Sequence, residues 1–205
     1  LVCPHTGQRR ELRRMAGTNP VALACRASER LNTRMLDPTI SIRSADIADM
    51  TAVGDIVAES WRQTFLGLLP QDVLSSITPE AQKARHERTF VRDGVRYHVA
   101  SKAGEVIGFA SWGPGRDPIF SVGNELYAIY LRPKYERQGI GRLLFESVSA
   151  DVAASGYPGF YLTALEMNPN RAFYARLGGI EADAPNILLG GTNYGQVGFV
   201  WRFAQ

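Results

Sequence analysis

The segment YLRPKYERQGIGRLLFESV, residues 130–148, constrains the fold most, because it reads as a β-strand, a turn and the start of a helix. Gly139 and Gly141 lie in the turn. Consecutive backbone N–H groups at the start of a helix can bind a single anion, so the turn predicts a phosphate-binding loop. The alternative is a tight strand-to-helix connection that needs glycine only for its geometry.

Two familiar phosphate loops do not fit this turn. A P-loop requires Gly-Lys-Ser/Thr at the helix start, whereas Arg142 and Leu143 follow Gly141 here. A dinucleotide fold requires a third glycine and a repeating parallel unit, and this turn follows segments that read as antiparallel hairpins.

The order of elements predicts a mixed α/β sheet in one domain. A strand at 39–45 precedes a helix at 47–65, for which Ser44 to Asp46 supply the N-cap chemistry, and two short helices start at Pro70 and Pro79. The later elements are a hairpin at 96–114, a strand at 124–133, a helix at 138–155, a strand at 159–166, a helix at 170–177 and two strands within 180–203.

The basic charge of the chain is concentrated before Met35, so we predict a non-catalytic extension at 1–34 and one domain at 35–205. Seven arginines against Glu11 and Glu29 give the extension a net charge of +5; subtracting this from the whole chain's +3 leaves −2 for the domain. Total charge is therefore no argument for nucleic-acid binding. Its arginine-rich, acid-poor composition resembles a transit peptide but lacks apolar helical periodicity, so we interpret the extension as upstream sequence or a cloning artefact, with Met35 as the natural start.

The remaining composition indicates a cytoplasmic protein with no membrane partner and no metal. Cys3 and Cys25 both lie in the extension, and no run of about 18 apolar residues is long enough to cross a bilayer. His5, His86 and His98 lack the spacing of metal ligands.

The segments ELYAIYLRPKYERQGIGRLLFESV, from Glu125, and NPNRAFYARLGG, ending at Gly179, together resemble the signature of the GNAT superfamily of N-acetyltransferases. The resemblance implies a mostly antiparallel sheet of six to seven strands flanked by helices. It also implies acetyl-CoA as co-substrate and direct transfer to a primary amine through a ternary complex.

The resemblance also implies the coenzyme-binding residues. The family pattern Gln/Arg-x-x-Gly-x-Gly/Ala places Glu136 at its first position, where Gln or Arg is expected, so we expect backbone N–H groups and neighbouring side chains to hold the pyrophosphate. Asn168 resembles a coenzyme-contacting asparagine, although it or Asn170 can equally be an N-cap. The expected pyrophosphate residues are Arg137, Gln138, Gly139, Ile140, Gly141 and Arg142, and the strand residues whose backbone pairs with the pantetheine arm are Ile129, Tyr130 and Leu131.

Acetyl transfer to an ammonium requires a base, and Glu125 is the candidate because it resembles the catalytic glutamate of the histone-acetyltransferase branch. Strand alternation places Glu125 and Tyr127 on one face, with Leu126 and Ala128 on the other. Tyr174 resembles the acid that protonates the leaving thiolate, and a backbone N–H near Ile129 or Leu131 would stabilise the oxyanion. A solvent-exposed strand-edge glutamate and a core tyrosine are the alternatives.

The acceptor is the least determined partner. Trp61 and Phe65 lie where the family lines its amine pocket, together with Glu125 and Tyr127, although aromatic residues four apart on a helix usually pack in the core. We expect a small-molecule amine, with aminoglycosides and hence antibiotic resistance as one possibility. The alternatives are a peptide or protein amine, and a domain that binds acyl-CoA as a sensor or scaffold without turnover. We also allow for a homodimer.

Overall fold

The computed structural model describes residues 37–203 and places seven of nine strands in one sheet, in the order β1-β2-β3-β4-β5-β9-β6. The extension at 1–34, both cysteines and the proposed start at Met35 lie outside the described residues. The strands are β1 Ile40–Ser44, β2 Arg96–Lys102, β3 Glu105–Pro114, β4 Asn124–Leu131, β5 Gly159–Leu165, β6 Ile180–Asp183, β7 Ile187–Leu189, β8 Thr192–Tyr194 and β9 Gln196–Arg202.

Five α-helices accompany the sheet: α1 Met50–Phe65, α2 Gln71–Ser76, α3 Pro79–Phe90, α4 Ile140–Ala154 and α5 Arg171–Arg176. Helix α4 packs on one face of the sheet, and α1 packs on the other face with α3 beside it. The predicted α/β sheet with flanking helices is thus confirmed. No helix within 37–203 combines the length and apolar character needed to cross a membrane.

Local sequence explains where the first helices begin. Asp46 accepts a hydrogen bond from the N–H of Ala48, while the carboxylate of Asp49 accepts one from the N–H of Asp46, and this capping box starts a 3-10 turn at Ile47–Asp49 that leads into α1. Thr78 caps α3 through the N–H of Ala81, and Pro79 occupies the first turn. The predicted start at residue 47 is thus the start of the 3-10 turn, and the predicted start at Pro79 is that of α3.

Neighbouring strands of the sheet are antiparallel, with one exception that creates the candidate site. Strands β4 and β5 run parallel and pair at a single position, Glu125 with Tyr161. Strand β4 continues to Leu131 and β5 to Leu165 beyond that bridge, so the two strands diverge. The result is a wedge-shaped gap in the middle of the sheet, which we call the β4–β5 gap.

Two large apolar clusters hold the layers together. On the α4 face, Leu144 and Val148 pack with Phe160, Phe199 and other fully buried side chains. On the α1 face, buried Met50, Val53 and Ile56 pack against Tyr97, Val99 and Phe109 of β2 and β3. Strand β4 lies between the two clusters, so its position is fixed from both faces.

The last part of the chain departs from the predicted two strands. It forms four, of which β7 and β8 make a separate two-stranded hairpin. Gly190 and Gly191 form its turn with φ of +55° and +81°, a conformation that favours glycine. The prediction missed these strands because each has only three residues, although two glycines between ILL and TNY are a recognisable hairpin signal.

Candidate active site

The backbone of β4 offers unpaired hydrogen-bonding groups to the β4–β5 gap. Arg132 donates its N–H to the carbonyl of Ile107. Hydrogen-bonded pairs between β3 and β4 therefore fall at every second residue of β4, counted back from Arg132. Tyr130 and Ala128 then form the hydrogen-bonded pairs with β3, so the peptide groups of Ile129 and Leu131 point towards β5. The carbonyl of Leu131 accepts from Ser60 at 2.8 Å. The N–H groups of Ile129 and Leu131 and the carbonyl of Ile129 remain open to a ligand in the gap.

Tyr130 differs from the expected arrangement because its backbone is already paired with Phe109 of β3. Its hydroxyl accepts a hydrogen bond from Trp61 Nε1 at 3.0 Å, and its ring packs against the α1-face cluster. Burial raises the pKa of the Tyr130 phenol. Tyr130 therefore joins α1 to β4, and the backbone pairing predicted for three residues reduces to Ile129 and Leu131.

Helix α4 begins at the wide end of the gap with an N-terminus that no side chain caps. Gly139 is the N-cap residue, with φ of +87°, and Arg137 also has a positive φ of +58°. The N–H groups of Ile140, Gly141 and Arg142 have no intrahelical acceptor because they lie in the first turn. This terminus, with its partial positive charge, is suited to an anion.

Gly141 brings the helix start, the end of β4 and α5 together. A Cβ atom at this position would lie 3.3 Å from Phe173 Cζ and 3.6 Å from Leu131 Cδ1. Three segments separated in sequence thus meet around one residue without a side chain. The resulting surface runs from the open N–H groups of β4 to the uncapped helix terminus.

Three polar residues predicted to contact the coenzyme make local hydrogen bonds. Arg142 pairs with Glu146 one turn along α4 at 2.7 Å, and Gln138 donates to the carbonyl of Lys134 at 3.0 Å. Asn168 accepts through Oδ1 from the N–H of Asn170 at 2.8 Å and so forms a local turn before α5; the N-cap position belongs to Asn170, whose side chain makes no capping bond. Its side-chain N–H₂ group makes no hydrogen bond to any residue of 37–203.

Tyr174 lies on α5 beside the gap, with its ring 5.4 Å from those of Phe173 and Phe199. Its hydroxyl has no hydrogen-bond partner among residues 37–203. Burial raises the pKa of the phenol, and the nearby Tyr130 adds to the shift. The group therefore stays protonated at neutral pH and has a proton to donate.

A β-bulge in β4 changes the predicted alternation of side chains. Ser111 pairs with Ala128 but Trp112 pairs with Leu126, so Tyr127 is the extra residue. Leu126 packs in the α4-face cluster, whereas Tyr127 and Ala128 both pack against the α1-face cluster. The shared face of Glu125 and Tyr127 agrees with the prediction, but Ala128 was assigned to the wrong face.

The carboxylate of Glu125 lies at the narrow end of the gap and is almost saturated with donors. Oε2 accepts from the Tyr161 hydroxyl at 2.9 Å, from Arg116 Nε at 2.9 Å and from Arg116 N at 3.2 Å. Arg116 Nη2 donates to Oε1, completing a bidentate pair. The Arg116 Cζ atom lies 4.9 Å from the centroid of the Tyr127 ring. We call Glu125, Arg116, Tyr127 and Tyr161 the carboxylate cluster.

The members of the carboxylate cluster shift one another's pKa values. Hydrogen bonding to Glu125 raises the pKa of the Arg116 guanidinium. Burial, with a smaller contribution from the Glu125 charge, raises the pKa of Tyr161 to about 12 and also raises that of Tyr127. Both phenols are therefore neutral donors at neutral pH, beside one ion pair.

Sequence reasoning missed Arg116 and Tyr161. Arg116 lies in the loop between β3 and β4, and hairpin geometry returns that loop to the start of β4, where Gly113 pairs with Glu125. A hairpin predicted from the sequence of residues 105–131 would therefore have placed Arg116 near Glu125. Tyr161 offers no comparable signal, because its approach depends on the parallel register of β5.

The two aromatic residues predicted to line the acceptor pocket serve mainly in packing. The rings of Trp61 and Phe65 lie 5.0 Å apart on α1. Phe65 is buried with Leu69, Val73 and Leu165 beneath the β7–β8 hairpin. Trp61 is only partly buried and keeps its indole N–H on Tyr130. Neither residue belongs to the carboxylate cluster.

Histidine and carboxylate side chains do not assemble a metal centre within residues 37–203. His86 is buried, with Nδ1 at 2.8 Å from the Tyr97 hydroxyl. His98 lies between Ser147 and Asp151, at 3.1 and 3.0 Å. Both histidines join a helix to β2.

Known proteins share this architecture. The model of the acetyltransferase (GNAT) family matches residues 56–179. The chain is 28% identical over 162 residues to an uncharacterized N-acetyltransferase of Bacillus subtilis strain 168, YuaI, covering 79% of this chain and 92% of that protein.

Solved structures show the same fold. The PaiA N-acetyltransferase of Thermoplasma acidophilum, in complex with coenzyme A, superposes with a TM-score of 0.62 at 21% identity, covering 78% of this chain and 97% of that one. The acetyltransferase YncA of Salmonella typhimurium, with acetyl-CoA, gives 0.60 at 18% identity, covering 82% and 95%.

Proposed function

The chain belongs to the GNAT family of acetyltransferases, and from this premise we propose that it transfers the acetyl group of acetyl-CoA directly to a primary amine of a small molecule, in a ternary complex. The β4–β5 gap carries the proposal. Its open strand groups, uncapped helix terminus and neighbouring phenol match the successive parts of an acyl-coenzyme: pantetheine arm, pyrophosphate and leaving sulfur.

Pantetheine contains two amide groups, which can pair with a strand edge as an added peptide strand does. The open groups of Ile129 and Leu131 supply that edge. The pyrophosphate then falls at the N–H groups of Ile140 to Arg142, where the helix dipole favours negative charge. Arg137 and Gln138 stand beside it as neighbouring side chains, and the free amide of Asn168 is available to the coenzyme.

The thioester carbonyl becomes an oxyanion during attack, and the N–H of Ile129 is the donor that stabilises it. Tyr174 protonates the departing thiolate, since its phenol is neutral and uncommitted to another side chain. Both donors face the same gap. Strand β4 lies between these donors and the carboxylate cluster, where the amine is proposed to bind. The coenzyme and the amine can therefore be bound at the same time.

Glu125 accepts the proton of the acceptor ammonium. Glu125 lies four positions before Ile129 in a stretch that contains the bulge, so at most about 13 Å separates their Cα atoms. A carboxylate on a two-carbon side chain does not span that distance, so the proton passes through water. The neighbouring Tyr127 ring provides a surface on which a cation is stabilised.

The test combines coenzyme binding with turnover. Thiol release from acetyl-CoA is measured across an amine panel of aminoglycosides, polyamines and lysine-containing peptides, beside a calorimetric titration with acetyl-CoA. Release that requires a small amine supports the proposal. Release with peptides alone would assign a peptide or protein acceptor.

A second candidate function is acyl-CoA binding without turnover, as a sensor. The pairing of Glu125 with Arg116 favours it, because the guanidinium occupies the edge of the carboxylate that an acceptor would approach. Tight coenzyme binding without thiol release on any amine would support the sensor.

A further inference from the structure

The site that holds the Arg116 guanidinium has the features of a cation-binding pocket. Glu125 meets the guanidinium edge through both oxygens, and the Tyr127 ring lies against it. A carboxylate beside an aromatic ring is a combination that recognises ammonium and guanidinium ions. Both residues sit in β4 on the α1 side of the sheet, separate from the groups that face the coenzyme.

The two partners of the ion pair differ in their freedom to move. The side chain of Glu125 is 4% exposed and belongs to a central strand, whereas that of Arg116 is 54% exposed and belongs to a loop. Arg116 can regain hydration by rotating outward, but Glu125 cannot leave. An unpaired buried carboxylate is unfavourable, so the pocket without the Arg116 guanidinium favours binding of another cation.

The loop backbone does not need to move for this exchange. The N–H groups of Arg116 and Asp117 donate to the Tyr161 hydroxyl at 2.9 and 2.8 Å. These two bonds hold the main chain of the loop in place. They do not restrict rotation of the Arg116 side chain about its own bonds. Rotation of one side chain therefore opens the pocket.

We infer that Arg116 occupies the subsite for an ammonium group of the acceptor, and that the incoming ammonium displaces the guanidinium into solvent, leaving one oxygen of Glu125 to receive the proton relayed from the reacting amine. This inference rests on the proposed function and specifies the acceptor class. The preferred acceptors carry net positive charge and have no carboxylate beside the reacting amine, because a carboxylate there would face Glu125. Arg116 is thus a specificity-determining residue that competes with the substrate.

A melting experiment tests the subsite without requiring turnover. Arg116→Ala leaves Glu125 unpaired, and free guanidinium ion is the probe that reproduces the lost head group. Guanidinium chloride at about 20 mM, against sodium chloride at the same ionic strength, should raise the Tm of Arg116→Ala by about 2 °C or more. Wild type and the Arg116→Ala/Glu125→Gln double variant should show no such rise. An equal response in the double variant, or none in Arg116→Ala, overturns the inference.

A kinetic arm tests the competition itself, on the best amine of the panel. Wild type binds the acceptor only in the fraction of molecules whose pocket is open, so removing the internal competitor should lower the amine KM by roughly tenfold. The KM for acetyl-CoA should not change. A higher amine KM in Arg116→Ala would show that Arg116 assists binding, which overturns the inference. Arg116→Gln serves in both arms if the alanine variant does not fold.

The two arms separate the possible failures. If wild type turns over no amine, the proposed function fails, while guanidinium rescue of the melting temperature still reports on the cation pocket. If turnover occurs but neither arm responds to Arg116, the proposed function stands and the displacement is wrong.

Discussion

Glu125 and Tyr161 are joined twice: their backbones form the one bridge between β4 and β5, and the Tyr161 hydroxyl donates to the Glu125 carboxylate at 2.9 Å. The same hydroxyl accepts two backbone N–H groups from the β3–β4 loop. Tyr161 therefore acts as a positioning residue that fixes the carboxylate, the loop and the narrow end of the gap together.

Tyr161→Phe should lower the free energy of unfolding by about 1–3 kcal/mol, because it leaves a buried carboxylate short of one donor and the Asp117 N–H without an acceptor, while the Arg116 N–H keeps only its longer bond to Glu125. Urea denaturation measures the change. Tyr157→Phe is the matched control, since Tyr157 is exposed and its hydroxyl makes no hydrogen bond to any residue of 37–203. Equal stability of Tyr161→Phe and wild type would mean that water replaces the phenol at no cost.

Gly139→Asp should weaken acetyl-CoA binding by roughly tenfold or more, because a side chain and a negative charge enter the uncapped terminus of α4. Calorimetric titration provides the affinity and circular dichroism verifies the fold. Gly156→Asp is the matched control: Gly156 also has a positive φ, of +78°, but follows the other end of α4, and nothing lies near an added Cβ. Similar losses in both variants would point to backbone strain rather than to the anion site.

Glu125→Gln should reduce turnover roughly 10²-fold at pH 7, with little change in coenzyme affinity and partial recovery at alkaline pH. The reason is that a base is needed only while the amine arrives protonated. The pH–rate profile of the best amine provides the measurement, with Glu87→Gln as the control, because Glu87 is a half-exposed residue of α3 whose partner is Lys83 on the same helix. Wild-type rates across the whole range would make Glu125 purely structural and would turn attention to a water relay or to Asp117.

Tyr174→Phe should reduce turnover without alkaline recovery, because it removes the donor to the leaving thiolate rather than the base. Stability should hardly change, since the hydroxyl bonds to no described side chain. Steady-state kinetics across pH, together with a melting curve, distinguish this role from a packing role. A variant with a lower Tm and full turnover would identify a core tyrosine.

Stability should fall between pH 7 and pH 5 because of His86. Burial lowers its pKa to about 4, from an ordinary value of 6.5. Above pH 6.5 both folded and unfolded chains carry neutral His86; below it the unfolded chain binds the proton and the folded chain does not, until pH approaches 4. The contribution to lost stability at pH 5 is about 2 kcal/mol.

Urea denaturation at the two pH values measures this loss, and His86→Gln, which never titrates, should lose correspondingly less. An equal loss in the variant would assign the pH dependence to groups other than His86.

Removal of residues 1–34 should leave coenzyme binding and turnover unchanged, because the described strands and helices already supply the groups that face the gap, from Glu125 to Tyr174. The comparison of the shortened and full-length chains uses the same titration and thiol assay. A large loss of activity would make the basic extension part of the functional protein.

The open strand groups and the uncapped helix start of the β4–β5 gap were predictable because they are nearly contiguous in sequence. The composition of the turn around Gly139 and Gly141 predicts an anion site, and the strand before it is adjacent in the chain. The carboxylate cluster was not predictable, because Arg116, Glu125 and Tyr161 come from a loop and two strands whose register no local pattern encodes. The sequence singles out Glu125 as a candidate base, a role that stays a prediction, and its guanidinium partner is apparent only in the folded structure.

Tyr127 illustrates a different limit. Strand alternation assumes that each residue points to the face opposite its neighbour's. A bulge inserts one residue that breaks this alternation, and no residue type in ELYAIYL indicates where a bulge occurs. Tyr130 shows the same dependence on register. Its backbone groups were expected to face the gap, but they form hydrogen bonds with β3 instead.

The bulge at Tyr127 adds a side chain to β4 without changing the face on which Glu125 lies. Because Tyr127 and Ala128 both lie on the α1 side, alternation resumes at Leu126, and the open peptide groups at Ile129 and Leu131 keep their direction towards the gap. A strand shortened by this one residue would alternate regularly and would still direct the Glu125 carboxylate to the α1 side. The bulge is therefore a place where an aromatic ring can be inserted beside Glu125 or removed, while the carboxylate and the gap-facing peptide groups stay where they are.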